Sequence, residues 1–207
     1  MTVTDCLSHY RQGVADSIAY MSSAYATKTD GTFLYSQAHR DFIVDAAFLK
    51  FYICWETFLE SVFSSYLLGE LSITGVSVPT CITARDQKHA SEILIGCNKY
   101  FDWSNPELVR KLSKLYMEEE NTIGNNILSI QNDLFDLKTI RNAAAHITVT
   151  TQANIDGLAS RIMGHQQYNT TVSGLIMNNK PGTADTIFEY YKNILDATAE
   201  CICKGSK

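Results

Sequence analysis

Proline is scarce in this chain, three among 207 residues, and glycine numbers only eleven. Both residues interrupt helices, so their scarcity leaves room for long unbroken ones. No apolar run approaches the roughly 18 residues that a membrane span needs, which excludes a membrane partner as an expectation. Thr2 to Arg11 lacks a cationic start followed by an apolar core, so no export signal is legible and the expected location is cytoplasmic. Clustered metal ligands are missing too. The six cysteines (Cys6, Cys54, Cys81, Cys97, Cys201, Cys203) are dispersed and form no C-x-x-C pair. They read as reduced, mostly packing thiols, with neither a metal nor a cofactor expected. Positive charge is also short. Seventeen Lys and Arg stand against 22 Asp and Glu, a net charge of −5. That argues against non-specific coating of nucleic acid, which depends on many cationic contacts to phosphates, but it leaves room for a small local cationic site.

What the chain does have is helical periodicity. A length of 207 residues with 45% hydrophobic content suits one domain with a real core. Thr4 or Asp5 is placed to cap a first helix reaching about Ala26, with Leu7, Tyr10, Val14, Ile18 and Met21 on its buried face. A second, longest helix is expected over about Tyr35 to Leu68. Its apolar face is wide, taking in Phe42, Ile43, Ala46, Phe51, Cys54, Phe58, Val62 and Tyr66, as a central helix contacted from several sides would be. Asp41, Asp45, Tyr52, Glu56 and Glu60 return to one polar stripe of that helix. The bland reading of the stripe is a solvated acidic face; the functional one is that Glu56 pairs with or orients a cation.

Further helices are expected over Ala84 to Cys97 and over Pro106 to Glu119, the latter capped at Ser104. That second helix presents Arg110, Lys111 and Lys114 close together, either as a solvated face or as contacts to an RNA backbone. Another helix begins near Asn125 and runs to His146, and the next ends at about Gly164. Residues 166–179 read as a short hairpin or loop, and Thr183 to Cys203 as the last amphipathic helix. The whole is expected to be all-α, a single helical domain over residues 1–207 built on the long second helix.

The stretch Leu134 to Thr151, LFDLKTIRNAAAHITVTT, carries the chemistry. It places Lys138, Arg141, Asn142 and His146 on a helix that is otherwise apolar and alanine-rich. With six arginines and five histidines in the chain, an Arg-x4-His pair at some position is a modest coincidence, and spacing alone favours an ordinary polar pair. The three alanines shift the balance, because small side chains let another helix approach while the long polar ones project past it. Asn142 and His146 share a face, whereas Arg141 and His146 diverge by about 140° on an ideal helix. A kink near His146, or a second copy of the helix, would resolve the divergence.

RNAAAH resembles the R-x4-6-H motif of HEPN domains, all-α proteins of which many are metal-independent ribonucleases. The polar residue after the arginine, here Asn142, is also usual in that family. Phe48 to Gly69 resembles the family's first long core helix. Tyr100 to Val109, together with the Arg141 helix, resembles a toxin-like branch found near defence genes. The likeness covers roughly Asp41 to Gly164. No tyrosine follows shortly after His146, unlike in one toxin branch.

The resemblance implies a homodimer in which two such helices pool their Arg and His side chains in a cleft. It also implies an RNA substrate cut by its own 2′-hydroxyl, with Arg141, Asn142 and His146 catalytic, Glu56 supporting and Lys138 near the RNA backbone. A toxin of this kind needs an antitoxin or another regulatory partner. Two rivals stand beside this reading. One is a non-catalytic module of the same fold that binds a nucleotide, RNA or a protein. The other is a structural helical adaptor in which Arg141 bridges Glu56 and His146 is packed.

Overall fold

The computed structural model describes residues 1–205, and among these the regular structure is entirely helical. Nine helices follow in order: α1 (Val3–Ala24), α2 (Gln37–Leu67), α3 (Gln87–Ile95), α4 (Pro106–Tyr116), α5 (Thr122–Ser129), α6 (Gln131–Ala145), α7 (Val149–Met163), α8 (Val172–Ile176) and α9 (Ile187–Lys204). Extended pairing among the described residues is limited to three isolated bridges, such as Thr80 with Met117.

Local chemistry explains most of the boundaries. Thr2, rather than Thr4 or Asp5, starts α1: its hydroxyl accepts from the Asp5 N–H at 3.1 Å while its own N–H donates to the Asp5 carboxylate at 2.9 Å. The same reciprocal box opens α9 between Thr186 and Glu189. Asn105, not Ser104, caps α4 ahead of Pro106, and Ser104 turns instead to Asp102. The helix expected to run unbroken from Asn125 to His146 is two helices, α5 and α6, parted at Ile130 with φ −115° and ψ 19°. Ile130 is buried there. Residues 166–179 contain no hairpin. They are loop, the other alternative, carrying the short helix α8, which is held by the Thr171 cap and preceded by Asn169 at φ 52°.

The described residues fall into two compact units, and the division lies inside α1, α2, α6 and α9. The first unit comprises Met1–Arg11, Trp55–Phe135 and the chain from Ile194. Its core is aromatic. Trp55 is buried with Tyr10 and Phe58, their rings 5.2–6.0 Å apart, and Phe63 meets Trp103. The Tyr66 hydroxyl donates to the Ile202 carbonyl at 2.7 Å, and Arg11 forks onto Asp196 and reaches Glu200.

The second unit comprises Gln12–Cys54 and Asp136–Asn193. Phe48, Phe51, Leu137, Ile140, Ile155 and Phe188 are buried in it, with Phe51 edge-on to Phe188 at 5.0 Å. Asp136 ties its helices together, accepting from the Tyr191 hydroxyl at 3.1 Å and from Arg161.

Two details depart from the periodic reading of α2. Phe42, expected in the apolar face, is 72% exposed, and Tyr52, expected on the polar stripe, is 1% exposed. The aromatic ring outweighs the single hydroxyl of Tyr52 in deciding its side. Of the six cysteines, only Cys6 and Cys203 are fully buried; Cys81, Cys97 and Cys201 are exposed and Cys54 lies between.

Candidate functional site

Arg141, Asn142 and His146 of the Leu134–Thr151 stretch stand in sequence at the corner between α6 and α7. Leu134, Leu137 and Ile140 are buried, which fixes the roll of α6. Arg141 and Asn142 then stand half-buried in its last turn, with the Arg141 guanidinium donating to the Asn142 side-chain oxygen at 3.3 Å. The helix ends at Ala145, so His146 is the first residue beyond it and is exposed.

That exit is tightly held. The His146 N–H still donates to the Asn142 carbonyl at 3.0 Å, and its own carbonyl accepts from the Thr151 hydroxyl at 2.7 Å. Thr148 and Thr151 form a capping box that opens α7 one residue after Ile147. The imidazole therefore rides on a backbone fixed from both sides while its ring faces solvent. On either side of Thr148, Ile147 and Val149 are 86% and 89% exposed. Isolated apolar side chains on a surface are common, but a pair flanking a polar cluster makes this corner a candidate contact face.

Beside the corner lies a cleft of about 310 Å³. Ala143 of α6, Ile147 of the corner and Val172 of α8 form part of its apolar wall, and Asp41 and Asp45 of α2 with Thr170 supply polar groups. The carboxylates are one turn apart on α2. Asp41 accepts from the Ser173 hydroxyl at 2.7 Å and from the Gln37 amide at 2.8 Å, both at Oδ1. Burial pushes the Asp45 carboxyl up to about 6; a hydrogen bond from the Ser173 N–H opposes this, and the Asp41 charge adds to it. Asp45 Oδ1 is buried without a hydrogen-bond partner, and the buried Thr170 hydroxyl has none except the nearby Asp156 carboxylate, whose ionised form it favours. An unmatched buried polar atom costs about 1–3 kcal/mol.

The loop that carries Thr170 is fastened at Asp156. That carboxylate accepts from the Thr170 N–H at 2.7 Å, the Gln152 amide at 3.0 Å and the Asn169 N–H at 3.2 Å. Burial acts against ionising Asp156, but these bonds prevail and hold its carboxyl below the ordinary value.

The remaining predicted residues lie on α6, α4 and α2. Lys138 is on α6, half-buried, within the second unit. Arg110, Lys111 and Lys114 belong to α4 in the first unit. There Arg110 donates to the Gln131 amide oxygen at 2.8 Å, and Lys114 stands 3.9 Å from Glu119. Glu56 is half-buried on the part of α2 that belongs to the first unit. Asp41 and Asp45, members of the stripe whose bland reading is a solvated acidic face, line a cleft. Their i, i+4 spacing was visible in the sequence. The return of Ser173, 132 residues away from Asp41, was not.

Among the described residues no group of three or more His, Cys, Asp or Glu is arranged to hold a metal ion, and no helix is long and apolar enough to cross a membrane. No protein-family profile, curated protein or solved structure matches this chain. The class that the fold defines is thus an all-α protein.

Proposed function

We propose that this chain is a metal-independent endoribonuclease acting as a homodimer, and that it serves as a toxin or antiviral-defence effector restrained by an antitoxin or another regulatory partner. The observation that carries the reading is the corner itself: a guanidinium, an amide and an exposed imidazole within six residues, on a backbone hydrogen-bonded on both sides of His146. The resemblance of RNAAAH to the HEPN motif supports it.

In the proposed reaction, His146 of one subunit takes the proton from the RNA 2′-hydroxyl. The O2′–P bond forms and the P–O5′ bond breaks. The leaving O5′ receives a proton from His146 of the partner subunit. Arg141 forks onto the non-bridging oxygens, where negative charge accumulates, and Asn142 orients the guanidinium that it already touches. The products are a 2′,3′-cyclic phosphate and a 5′-hydroxyl. DNA, which lacks the nucleophile, is not cut.

Incubating the purified chain with RNA in EDTA tests this, with product ends identified by mass spectrometry. Cyclic-phosphate ends that disappear in His146→Ala and Arg141→Ala are the expected result. Undiminished cleavage in both variants overturns the reading.

One observation favours a second reading, a non-catalytic binding module. The cleft that shares Ala143 and Ile147 with the corner is lined by two carboxylates, which repel phosphate. Saturable binding of a ligand with no RNA product over hours would select this alternative.

A further inference from the structure

We infer that the cleft between the start of α2 and the α6–α7 corner is a binding site for a guanidinium group, carried by a small molecule or by an arginine side chain of a protein. Its unmet polar demand centres on Asp45, whose Oδ1 is buried and unmatched in the cleft lining. The Thr170 hydroxyl of the same lining is engaged by Asp156 as a donor, which leaves its lone pairs to accept. The two hydrogen bonds that Asp41 accepts both end on Oδ1. Such a site requires hydrogen-bond donors and favours positive charge. A phosphate or carboxylate has neither.

Among cations, the chemistry of the cleft selects the guanidinium. A divalent metal would find two carboxylates here and no third His, Cys, Asp or Glu grouped with them among the described residues. An alkylammonium is compact and strongly hydrated, so it surrenders more water on entering a half-closed cleft. A guanidinium is planar, weakly hydrated and carries five N–H donors, enough to serve Asp41, Asp45 and Thr170 together. Its flat faces and alkyl stem suit the walls made by Ala143, Ile147 and Val172. The volume, about 310 Å³, lies at the lower end of small-molecule sites, where one side chain or a small ligand fits. The high proton affinity of Asp45 fits as well, because a cation would relieve the burial and the neighbouring Asp41 charge that cause it. None of this depends on RNA cleavage, so either reading of the corner can fail without the other.

Calorimetric titration of the full chain with butylguanidinium, butylammonium, tetramethylammonium and Mg²⁺ tests the inference. Methyl NMR of Ile147 and Val172 reports where binding occurs. Butylguanidinium is expected to saturate at about a millimolar or below, to bind at least about threefold tighter than butylammonium, and to shift both methyl signals. Asp45→Asn should weaken it by about tenfold and Thr170→Val by about threefold, with the ligand-free methyl spectrum reporting an intact fold. A capped Gly-Arg-Gly peptide compared with butylguanidinium separates the sources: tighter peptide binding points to a protein arginine, weaker binding to a small molecule. Absence of saturation up to about 50 mM overturns the site. So does equal binding of butylammonium or Mg²⁺, or affinity unchanged by Asp45→Asn in a folded variant.

Discussion

The α6–α7 corner and the cleft beside it draw on one short stretch of chain and present opposite chemistry. Arg141 and His146 offer cationic or protonatable groups at the corner, while Ala143 and Ile147, interleaved with them, wall a cleft whose polar lining includes Asp41 and Asp45. The corner is held through backbone: its bonds run from Thr151 and Asn142 to the main chain of His146, leaving the ring unconstrained. The cleft is held through side chains, by Ser173 on Asp41 and by Asp156 on the loop that carries Thr170. The His146 ring is open to an incoming substrate or partner, whereas the cleft carboxylate of Asp41 is already oriented by its own bonds. The two regions therefore suit different tasks, and substitutions should separate them.

The largest expected effect is at the corner. His146→Ala should lower RNA cleavage by about 10²–10⁴-fold, the usual worth of a general acid or base. Because His146 is exposed, its thermal unfolding should stay within about 0.5 kcal/mol of the parent. Butylguanidinium affinity should not change. A variant that loses cleavage and cleft binding together, with the fold intact, would dissolve the distinction between the two regions.

Next comes the cleft. The Asp45 carboxyl, ordinarily near 3.8, is raised to about 6 in the folded chain. Between those values the native state holds more protons than the unfolded state, so stability falls as pH rises through that window and the penalty is complete above it. Asp45→Asn removes the ionisation. It should raise stability at pH 8 by about 1–2 kcal/mol, a figure already discounted for the partial exposure of Asp45, and should change little at pH 4. Denaturant melts of both proteins at the two pH values check this. A variant equally destabilised at both would show that Asp45 is a packing residue.

The corner was far easier to read from the sequence than the cleft. The buried positions of α6, the alanines and the residues Arg141, Asn142 and His146 all lie within one local stretch, and helical periodicity ordered them correctly. Of the two ways around the 140° divergence, a kink near His146 or a second copy of the helix, the fold shows α6 ending at Ala145, just before His146. The cleft depends on residues that only tertiary structure unites: Asp41 and Ser173 are 132 positions apart. Periodicity also misassigned Phe42 and Tyr52, because helical spacing gives the face but not the partner that covers it. The α5–α6 break was hidden for a related reason. Ile130 continues the apolar pattern while its backbone leaves the helix.

A smaller effect should come from the link between the corner and α7. Thr151→Val removes the hydroxyl that donates to the His146 carbonyl and completes the box with Thr148. The loss of stability should be about 1 kcal/mol, typical of a helix cap. If the fixed backbone matters to the chemistry, cleavage should fall by more than the unfolded fraction explains; butylguanidinium binding is no control here, because Thr151 also lines the cleft. Cleavage that merely tracks stability would assign Thr151 a structural role only.

The smallest effect on stability, and the most informative about assembly, belongs to Ile147 and Val149. At 86% and 89% exposure they contribute little to the folded monomer, so Val149→Ser should change unfolding by no more than about 0.5 kcal/mol. If two corners meet in a homodimer, the same substitution removes apolar contact twice, once from each subunit, because a two-fold interface repeats every contact. Sedimentation should then show dimerisation weakened by about tenfold, and cleavage per chain should fall with the dimer fraction. Ile147→Ser would do the same while also disturbing the cleft wall. The Val149 variant is thus the cleaner probe of assembly, and the difference between the two variants in butylguanidinium binding measures how far the corner and the cleft are separate. A monomeric parent at micromolar concentration that still cleaves RNA would remove the dimer from the mechanism and leave Arg141 and His146 to act within one chain.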